Sequence, residues 1–305
     1  MVKSCGGQDS NPRTPAGADL ESFRGRSGGG SDRRIDVSEE DLELYVKHKG
    51  MTTCYKHTIR CKLLVRKFLE NQKWKISYSD TLSYFNEIRN QCSPKTYRDN
   101  VLIVRDFLRF LGFEWSNRIK LPKIPHRLPV FVRTEQIEKL LSEIETIEDP
   151  IKSQQLRAFT ILGATTGMRS EEIYKLTPDE IDLKNRSIRL TNTKSGEDRM
   201  VFFNEDAKKE LEILLEWGNL PLFPYRIIQR FYYTAKDRCD GLLPKYLRKY
   251  FSTTSDKLGM PTGVKKRLMG HSTNGDIDLQ HYSALTFDDL KAIYNRYWDE
   301  VQISL

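Results

Sequence analysis

The stretch TGMRSEEI at residues 166–173 marks the point where one helix ends and another begins. Residues 151–166 before it predict a helix, and Gly167 can end that helix because glycine readily adopts the left-handed backbone conformation. Arg169 then stands at the start of the next segment, 169–176. An arginine in this place, directly after a turn, is well positioned to take part in a site.

Downstream of this stretch the pattern predicts a β-hairpin and then helices. Residues 187–193 and 199–203 alternate or are β-branched, and Ser195-Gly196 between them has the composition of a turn. Lys194 therefore lies at the hairpin tip. Upstream, Thr134 caps a predicted helix, so the second domain is expected to cover residues 134–305. The segments of this domain predicted to be helical are 134–146, 151–166, 205–217, 226–237, 243–258, 262–268 and 288–301.

The first half of the chain predicts a small helical bundle at residues 35–116. Apolar residues recur three or four apart in segments 39–47, 54–72, 79–91 and 93–111. The second segment is expected to turn Ile59, Leu63, Leu64 and Phe68 inward, and the fourth Val101, Val104, Phe107, Leu108 and Leu111. The basic residues left on the outer surface are candidates for DNA contacts: Arg60, Arg66, Lys67, Arg98 and Arg105. An ordinary solvated charged face is an equally good interpretation of them.

Two further segments predict little regular structure. Residues 1–34 are rich in Gly, Ser, Pro and Asp and cannot bury enough apolar surface to fold, so this segment is expected to be disordered. Residues 117–133 carry three prolines among basic residues and predict an extended basic linker. Lys120, Lys123 and Arg127 of this linker are further candidates for DNA contacts, although a plain spacer is equally consistent.

Length, charge and cysteine content restrict the class of protein. A chain of 305 residues is expected to form more than one domain. The net charge of +8 favours a polyanionic partner. The cysteines at 5, 54, 61, 92 and 239 lack the spacing of a zinc site, and no apolar run approaches the ~18 residues of a membrane helix. These features predict a soluble cytoplasmic protein without a structural metal.

Six residues in the second half form an ordered set that suits the cleavage of a DNA strand without metal. They are Arg169, Lys194, Lys245, Arg248, His271 and Tyr282. A phosphodiester under attack gathers negative charge on its nonbridging oxygens, and guanidinium groups stabilise that charge while staying protonated. Tyrosine is a poor nucleophile at its usual pKa of ~10 and needs nearby cations or a base. Arg169, Arg248 and His271 would supply that setting for Tyr282.

In their order and contexts these residues resemble the tyrosine recombinase (phage-integrase) family. The resemblance rests on Gly-x-Arg-x-x-Glu at 167–172, a hairpin lysine, Lys-x-x-Arg at 245–248, Gly-His at 270–271 and a late tyrosine. It implies that Tyr282 is the nucleophile, that Lys194 is the general acid, and that cleavage passes through a 3′-phosphotyrosyl link. No cofactor, ATP or divalent metal is implied.

The resemblance also implies an architecture and partners. The fold would be mainly α with a small β-hairpin: a helical, SAM-like core-binding domain at 35–116 and a catalytic domain at 134–305. These would close around double-stranded DNA, with a homotetramer acting on two attachment sites, while accessory DNA-bending proteins are left open. The helix at 288–301 would pack on the next protomer or, equally well, on its own domain.

Two departures from the family pattern restrict the resemblance to one branch of the family. Lys245 occupies the place where most members have histidine, which puts an acid–base role for it in doubt, and Tyr282 follows His271 by 11 residues, a somewhat wide spacing. Lys245 and the run Gln280-His281-Tyr282 resemble integrases of spindle-shaped archaeal viruses. In those, the attachment site lies within the integrase gene, and the codons of residues 6–12 could match the complement of a tRNA T-arm.

The expected function is therefore a site-specific recombinase that integrates or excises a viral or mobile element. Two alternatives stay open at this stage. A type IB topoisomerase uses a similar set of arginine, lysine, histidine and tyrosine but relaxes supercoils as a monomer. A DNA-binding protein with a decayed site would bind DNA without becoming attached to it.

Overall fold

The computed structural model describes residues 33–125, 130–191, 198–271 and 285–303. The chain divides into two compact units, the first ending at residue 128. Each unit has its own cluster of buried hydrophobic side chains. The described part of the chain is mainly α-helical with short antiparallel strands, as the sequence predicted.

Helices make up most of the first unit. Its elements are β1 (Ile35–Asp36), α1 (Glu39–Gly50), α2 (Tyr55–Asn71), β2 (Lys75–Ile76), α3 (Tyr78–Arg89) and α4 (Pro94–Phe110). Serines accept hydrogen bonds from backbone amides at three helix starts: Ser38, Ser77 and Ser93. β1 pairs antiparallel with β2, so that Ile35 lies opposite Ile76. The described segments therefore match the four predicted helices closely.

The inward face of α4 is as predicted, whereas that of α2 is predicted only in part, since Phe68 is buried and Leu64 packs against the core. All five residues predicted to point inward from the fourth segment are buried. In α2, however, the buried side chains include Cys61, Val65, Phe68 and Leu69, and Leu63 is 64% exposed. Packing against α1 and α4 rotates the buried stripe by about one residue, so that Phe68 stays inside while Leu63 is left outside. An apolar side chain is thus left on the outer surface among basic residues.

A long helix runs through the core of the second unit. The helices of this unit are α5 (Thr134–Glu145), α6 (Pro150–Thr166), α7 (Ser170–Ile173), α8 (Glu205–Glu216), α9 (Tyr225–Ala235), α10 (Pro244–Lys257), α11 (Thr262–Met269) and α12 (Phe287–Trp298). α6 is buried almost continuously from Leu156 to Thr166 and packs against α8 and α10. A Cβ atom on Gly163 would lie 2.8 Å from Leu247, so glycine allows α10 to approach closely. α6 thus sets the positions of the helices that carry the candidate site.

The predicted hairpin is present as two strands of a three-stranded antiparallel sheet. The strands are β3 (Ile181–Asp182), β4 (Ser187–Leu190) and β5 (Arg199–Phe202). Leu190 is paired with Arg199 and Ile188 with Val201, which confirms the predicted pairing. The tip with Lys194 lies outside the described residues.

The last helix, α12, docks on its own unit. Leu290, Tyr294 and Trp298 are buried, as is the later residue Ile303. The Tyr294 hydroxyl donates to the Thr165 carbonyl at 2.9 Å, and the Trp298 indole stacks on Phe251 with ring centroids 4.9 Å apart. Of the two packing arrangements considered for this helix, the chain by itself adopts the docking on its own domain. No helix among the described residues is long and apolar enough to cross a membrane.

Candidate active site

A left-handed turn at Gly167 places Arg169. Gly167 has φ +66° and ends α6, and a Cβ atom there would collide with the Phe251 ring. Two residues later Arg169 forms the N-cap of α7, and its side chain is half-buried. Glycine is therefore required twice over at 167, once by the backbone conformation and once by the packed aromatic ring. The position predicted from the stretch at 166–173 is the one observed.

Glu172 fixes the orientation of Arg169. It accepts hydrogen bonds from the Arg169 backbone amide at 2.7 Å and from Arg169 Nη1 at 2.9 Å. Arg169 Nη2 donates to the Gly270 carbonyl at 2.8 Å. Burial opposes ionisation of Glu172, but the hydrogen bonds and charge of Arg199, together with those of Arg169, outweigh it and hold the Glu172 pKa below its usual range. The carboxylate is therefore charged and locks the guanidinium in place.

Arg248 reaches the same region from α10. Its Nη1 donates to the Gly167 carbonyl at 2.6 Å. Within the described residues, the other N–H groups of the guanidinium have no hydrogen-bond partner in the protein. Burial, followed by repulsion from Arg169 and Arg199, lowers the Arg248 pKa to about 10. The side chain is still protonated at neutral pH. The two predicted arginines thus come together around one turn and bring an excess of positive charge.

His271 borders these arginines. It directly follows α11 and Gly270, which has φ +64°, and its amide donates to the Lys266 carbonyl at 3.0 Å. Burial and then the charges of Arg248 and Arg169 lower the His271 pKa below its ordinary value of 6.5. The imidazole is therefore neutral at pH 7. A neutral imidazole beside two guanidiniums can accept a proton while the guanidiniums hold an anion.

Lys245 lies one helical turn before Arg248. It is exposed, and its Nζ lies 5.0 Å from the centroid of the Tyr246 ring, which Lys249 also approaches at 5.3 Å. A spacing of three residues on a helix places Lys245 and Arg248 on the same face. Lys245 and Arg248 therefore share a face of α10, and the described contact of the Lys245 ammonium is with the Tyr246 ring.

Lys194 and Tyr282 lie outside the described residues, but the residues that flank their segments border the site. The segment containing Tyr282 begins directly after His271 and ends at Leu285, whose carbonyl accepts from Arg267 Nη1 at 3.2 Å. The segment containing Lys194 ends just before Asp198 and Arg199. Both segments therefore begin or end beside the arginine site.

The DNA-contact candidates of the first unit fall into two groups. Arg60, Lys67, Lys120 and Lys123 are exposed, and Arg60 lies 3.6 Å from Asp99. Three others are held by the protein. Arg66 pairs with Glu39, Arg98 Nη1 donates to the Pro122 carbonyl at 2.8 Å, and Arg105 Nη1 donates to the Ile119 carbonyl at 3.3 Å. Arg98 and Arg105 thus fasten the chain after α4 to that helix. Arg127 lies outside the described residues.

A groove of about 530 Å³ opens on the outer face of α2. It combines apolar side chains with a basic rim, and its lining includes Ile59, Arg60, Leu63, Lys67 and Ile88. The exposed stripe that periodicity had assigned to the core therefore forms part of a mixed apolar and basic surface. Within the described residues, no group of three or more His, Cys, Asp or Glu side chains is arranged to hold a metal ion.

Sequence analysis did not single out Arg199 at the start of β5. Its guanidinium donates to both Glu172 oxygens at 3.1 and 2.7 Å, and its Nε donates to the Leu268 carbonyl at 3.1 Å. An arginine that opens a strand two residues before a buried valine, Val201, is a weak signal for such a contact. Only the folded chain brings it to Glu172.

Comparison with known proteins gives a consistent result. Residues 130–288 match the model of the phage integrase family. A tyrosine recombinase XerA from Saccharolobus solfataricus is 31% identical over 215 residues, covering 68% of this chain and 69% of that protein. Among solved structures, a lambda integrase dimer bound to a COC′ core site has a TM-score of 0.64 at 14% identity, covering 94% of this chain and 87% of that one. The Tn1549 transposon integrase in complex with transposon right end DNA has a TM-score of 0.57 at 18% identity, covering 84% and 98%.

Proposed function

Since the chain belongs to the phage integrase family and is a tyrosine site-specific recombinase, we propose that Arg169 and Arg248 hold the two nonbridging oxygens of the phosphate that is cleaved. The observation that carries this assignment is their convergence on the turn at Gly167, each anchored by a backbone carbonyl. Fixed guanidiniums stabilise charge that develops during the reaction without having to reorganise. The Arg248 pKa is lowered first by burial and then by repulsion from Arg169 and Arg199, which supports a site where these positive charges lie close together.

The proposed chemistry exchanges one phosphoester bond for another. The Tyr282 hydroxyl oxygen attacks phosphorus, the bond to the 5′ oxygen breaks, and the DNA 3′ end becomes joined to tyrosine. Neutral His271 takes part in removing the phenol proton, and Lys194 supplies a proton to the leaving 5′ oxygen. A 5′ hydroxyl from a partner strand reverses the step, so the bond energy is conserved. The exposed ammonium of Lys245 adds a further cation at the edge of the site.

The first unit is proposed to be the core-binding domain, with the outer face of α2 against DNA. Arg60 and Lys67 are exposed beside Ile59 and Leu63 in the groove of this face. Basic side chains neutralise phosphates, and aliphatic side chains suit the methyl groups of thymine in the major groove. Lys120, Lys123 and Arg127 would extend the basic surface along the segment 117–133.

The biological setting is proposed to be the integration or excision of a viral or mobile element by a homotetramer on two attachment sites. Lys245 and Gln280-His281-Tyr282 support the resemblance to archaeal viral integrases. Sequencing the gene tests one part of this proposal. A tRNA-like stretch across the codons of residues 6–12 is expected, and its absence would remove the idea that the attachment site lies within the gene.

Recovery of a covalent adduct tests the proposed chemistry. The wild-type protein is incubated with duplex DNA, the protein–DNA adduct is isolated under denaturing conditions, and both the nucleotide and the amino acid are mapped. The expected link is a 3′-phosphate on Tyr282. On a labelled suicide substrate built from the mapped site, Tyr282→Phe should give no slower band. Tyr297→Phe is the matched control, because Tyr297 lies on α12 and is not one of the candidate site residues.

The same substrate separates the two alternatives. A protein with a decayed site would bind the duplex but give no adduct with the wild-type chain. A topoisomerase would relax supercoiled DNA of any sequence and would not join two duplexes. Joining of two duplexes that both carry the mapped site is the result expected of a recombinase.

A further inference from the structure

We propose that Arg199 is a positioning residue for cleavage, which through Glu172 holds Arg169 in the orientation that binds the phosphate. This inference rests on the proposed function of Arg169. It concerns a residue that lies outside the six expected from the sequence, on the strand that follows the hairpin tip.

The Arg199 guanidinium joins three elements at one point. It opens β5, its two terminal nitrogens grip the Glu172 carboxylate at 3.1 and 2.7 Å, and its Nε donates to the Leu268 carbonyl in the last turn of α11 at 3.1 Å. Its side chain is only 9% exposed. A bidentate pair of arginine and carboxylate fixes direction as well as distance. Strand, helix start and helix end are therefore held relative to one another by a single side chain.

Glu172 passes this restraint on to Arg169. Oε1 accepts from both Arg169 Nη1 and Arg199 Nη1, and Oε2 accepts from the Arg169 amide and Arg199 Nη2. With Arg199 gone, a buried carboxylate would keep Arg169 as its sole described cationic partner. Its negative charge would then draw the Arg169 guanidinium toward itself and away from a substrate phosphate. By donating to the same Glu172 carboxylate, Arg199 leaves Arg169 with N–H groups that can donate to DNA.

Gly270 shows how tightly the guanidinium is packed. A Cβ atom built on Gly270 would lie 2.7 Å from Arg199 Cζ, and the residue has φ +64°. The Gly270 carbonyl also accepts from Arg169 Nη2 at 2.8 Å. The backbone just before His271 is thus in contact with both arginines. The Arg199 fork is occupied by Glu172, which argues that this arginine supports the phosphate site and is not itself a phosphate ligand.

A substrate with altered charge tests the inference in the full-length protein. The suicide duplex is made with either a phosphodiester or a methylphosphonate at the mapped position. The methylphosphonate lacks one charged nonbridging oxygen, so its cleavage depends less on a well-placed guanidinium. Arg199→Met is expected to slow adduct formation on the phosphodiester by about 10²-fold, the scale seen when one oxyanion donor is lost. On the methylphosphonate the deficit relative to wild type should shrink to about tenfold or less.

Further variants complete the design. Arg169→Ala should show the same selective recovery, and Tyr282→Phe should give no adduct on either substrate. The loss of rate in the double variant Arg199→Met with Glu172→Gln, expressed as a free energy, should be well below the sum of the losses in the two single variants. Such a result shows that both residues act through one network. Arg199→Lys keeps the charge but places its donors on one nitrogen, and it carries the test if Arg199→Met does not fold, as judged by circular dichroism.

The outcomes are distinguishable. Equal losses for a folded Arg199 variant on both substrates, or full activity on the phosphodiester, would overturn the inference while leaving the proposed function intact. If Arg169→Ala is as fast as wild type, or Tyr282→Phe still forms the adduct, the proposed function fails and this inference fails with it.

Discussion

Arg248 shows how single residues prepare this site for an anion. Its guanidinium is buried beside Arg169 and Arg199, and their repulsion contributes to a pKa of about 10. A phosphate placed between the arginines removes that repulsion. Binding of a phosphodiester is therefore favoured by an interaction that is unfavourable in the free protein. Burial, and then the charges of Arg248 and Arg169, likewise lower the pKa of His271.

The lowered pKa of His271 leads to a pH prediction. In the free protein, an NMR titration should place the His271 midpoint below 6.5, because burial and then the charges of Arg248 and Arg169 oppose protonation. Since the unfolded chain takes up this proton more readily than the folded one, stability should fall as pH is lowered through the ordinary histidine range. His271→Gln should remove that part of the slope.

The corresponding control changes one cation. Arg248→Met should raise the His271 midpoint toward its ordinary value without reaching it, because burial remains the first cause of the shift. A midpoint at or above 6.5 in the wild-type protein would contradict the assignment of a neutral imidazole. In the adduct assay, the rate should decrease toward acid only below the His271 midpoint if neutral His271 accepts the phenol proton.

At the scale of elements, the site depends on how helices end. α6 stops at Gly167, α11 stops at Gly270, and both turns present a carbonyl to an arginine. The two arginines are therefore oriented by backbone groups whose positions depend on left-handed turns. The final helix α12 packs over the same unit through Tyr294 and Trp298.

Substitution of Gly167 should affect both stability and chemistry. Gly167→Ala combines left-handed strain of ~1–2 kcal/mol with overpacking against Phe251 of ~1–3 kcal/mol, measured as loss of unfolding free energy in urea. Gly259→Ala is the matched control: it has φ +82° but no atom within 4 Å of the added Cβ, so only the strain is expected. Adduct formation should slow for Gly167→Ala alone. Equal losses of stability in the two variants would show that Phe251 relaxes without cost.

At the scale of the whole molecule, each unit has a core of its own. Tyr45, Phe68 and Phe107 belong to the core of the first unit, while Phe159, Phe251 and Trp298 belong to that of the second. A chain of residues 130–305 therefore retains a complete core. The exposed basic side chains on α2, and those of Lys120 and Lys123, would be absent from it.

DNA binding by the two forms should differ in its salt dependence. The logarithm of the association constant falls with the logarithm of salt concentration by about 0.9 for each phosphate contact. The slope for residues 130–305 should thus be shallower than that of the full chain. In the full chain, Lys67→Ala should reduce the slope by roughly one. Lys139→Ala is the control, because Lys139 pairs with Asp240 at 2.9 Å in the second unit. Equal slopes for both chains would argue against DNA contacts by the first unit.

Much of the fold could be predicted from local sequence. The alternation at 187–203 predicted the strand pair, Gly167 predicted the end of a helix, and the stretch at 166–173 placed Arg169 after a turn, whereas the predicted cap Thr134 is the first helical residue after the N-cap Arg133. These features depend on interactions between residues near one another in the chain, which determine periodicity and turn chemistry. The candidate residues Arg169, Arg248 and His271 were recognised for a related reason, since each stands in a short motif.

What only the tertiary structure decided concerns contacts between distant residues. Periodicity placed Leu63 in the core, but packing of α2 against α1 and α4 left it exposed. Arg98 and Arg105 were expected to point outward, yet they donate to carbonyls after α4. Arg199 gave little local signal and became significant because folding brings it to Glu172, 27 positions away in sequence. A sequence pattern shows which residues can be buried or charged, whereas the partner each one meets is settled when the elements pack.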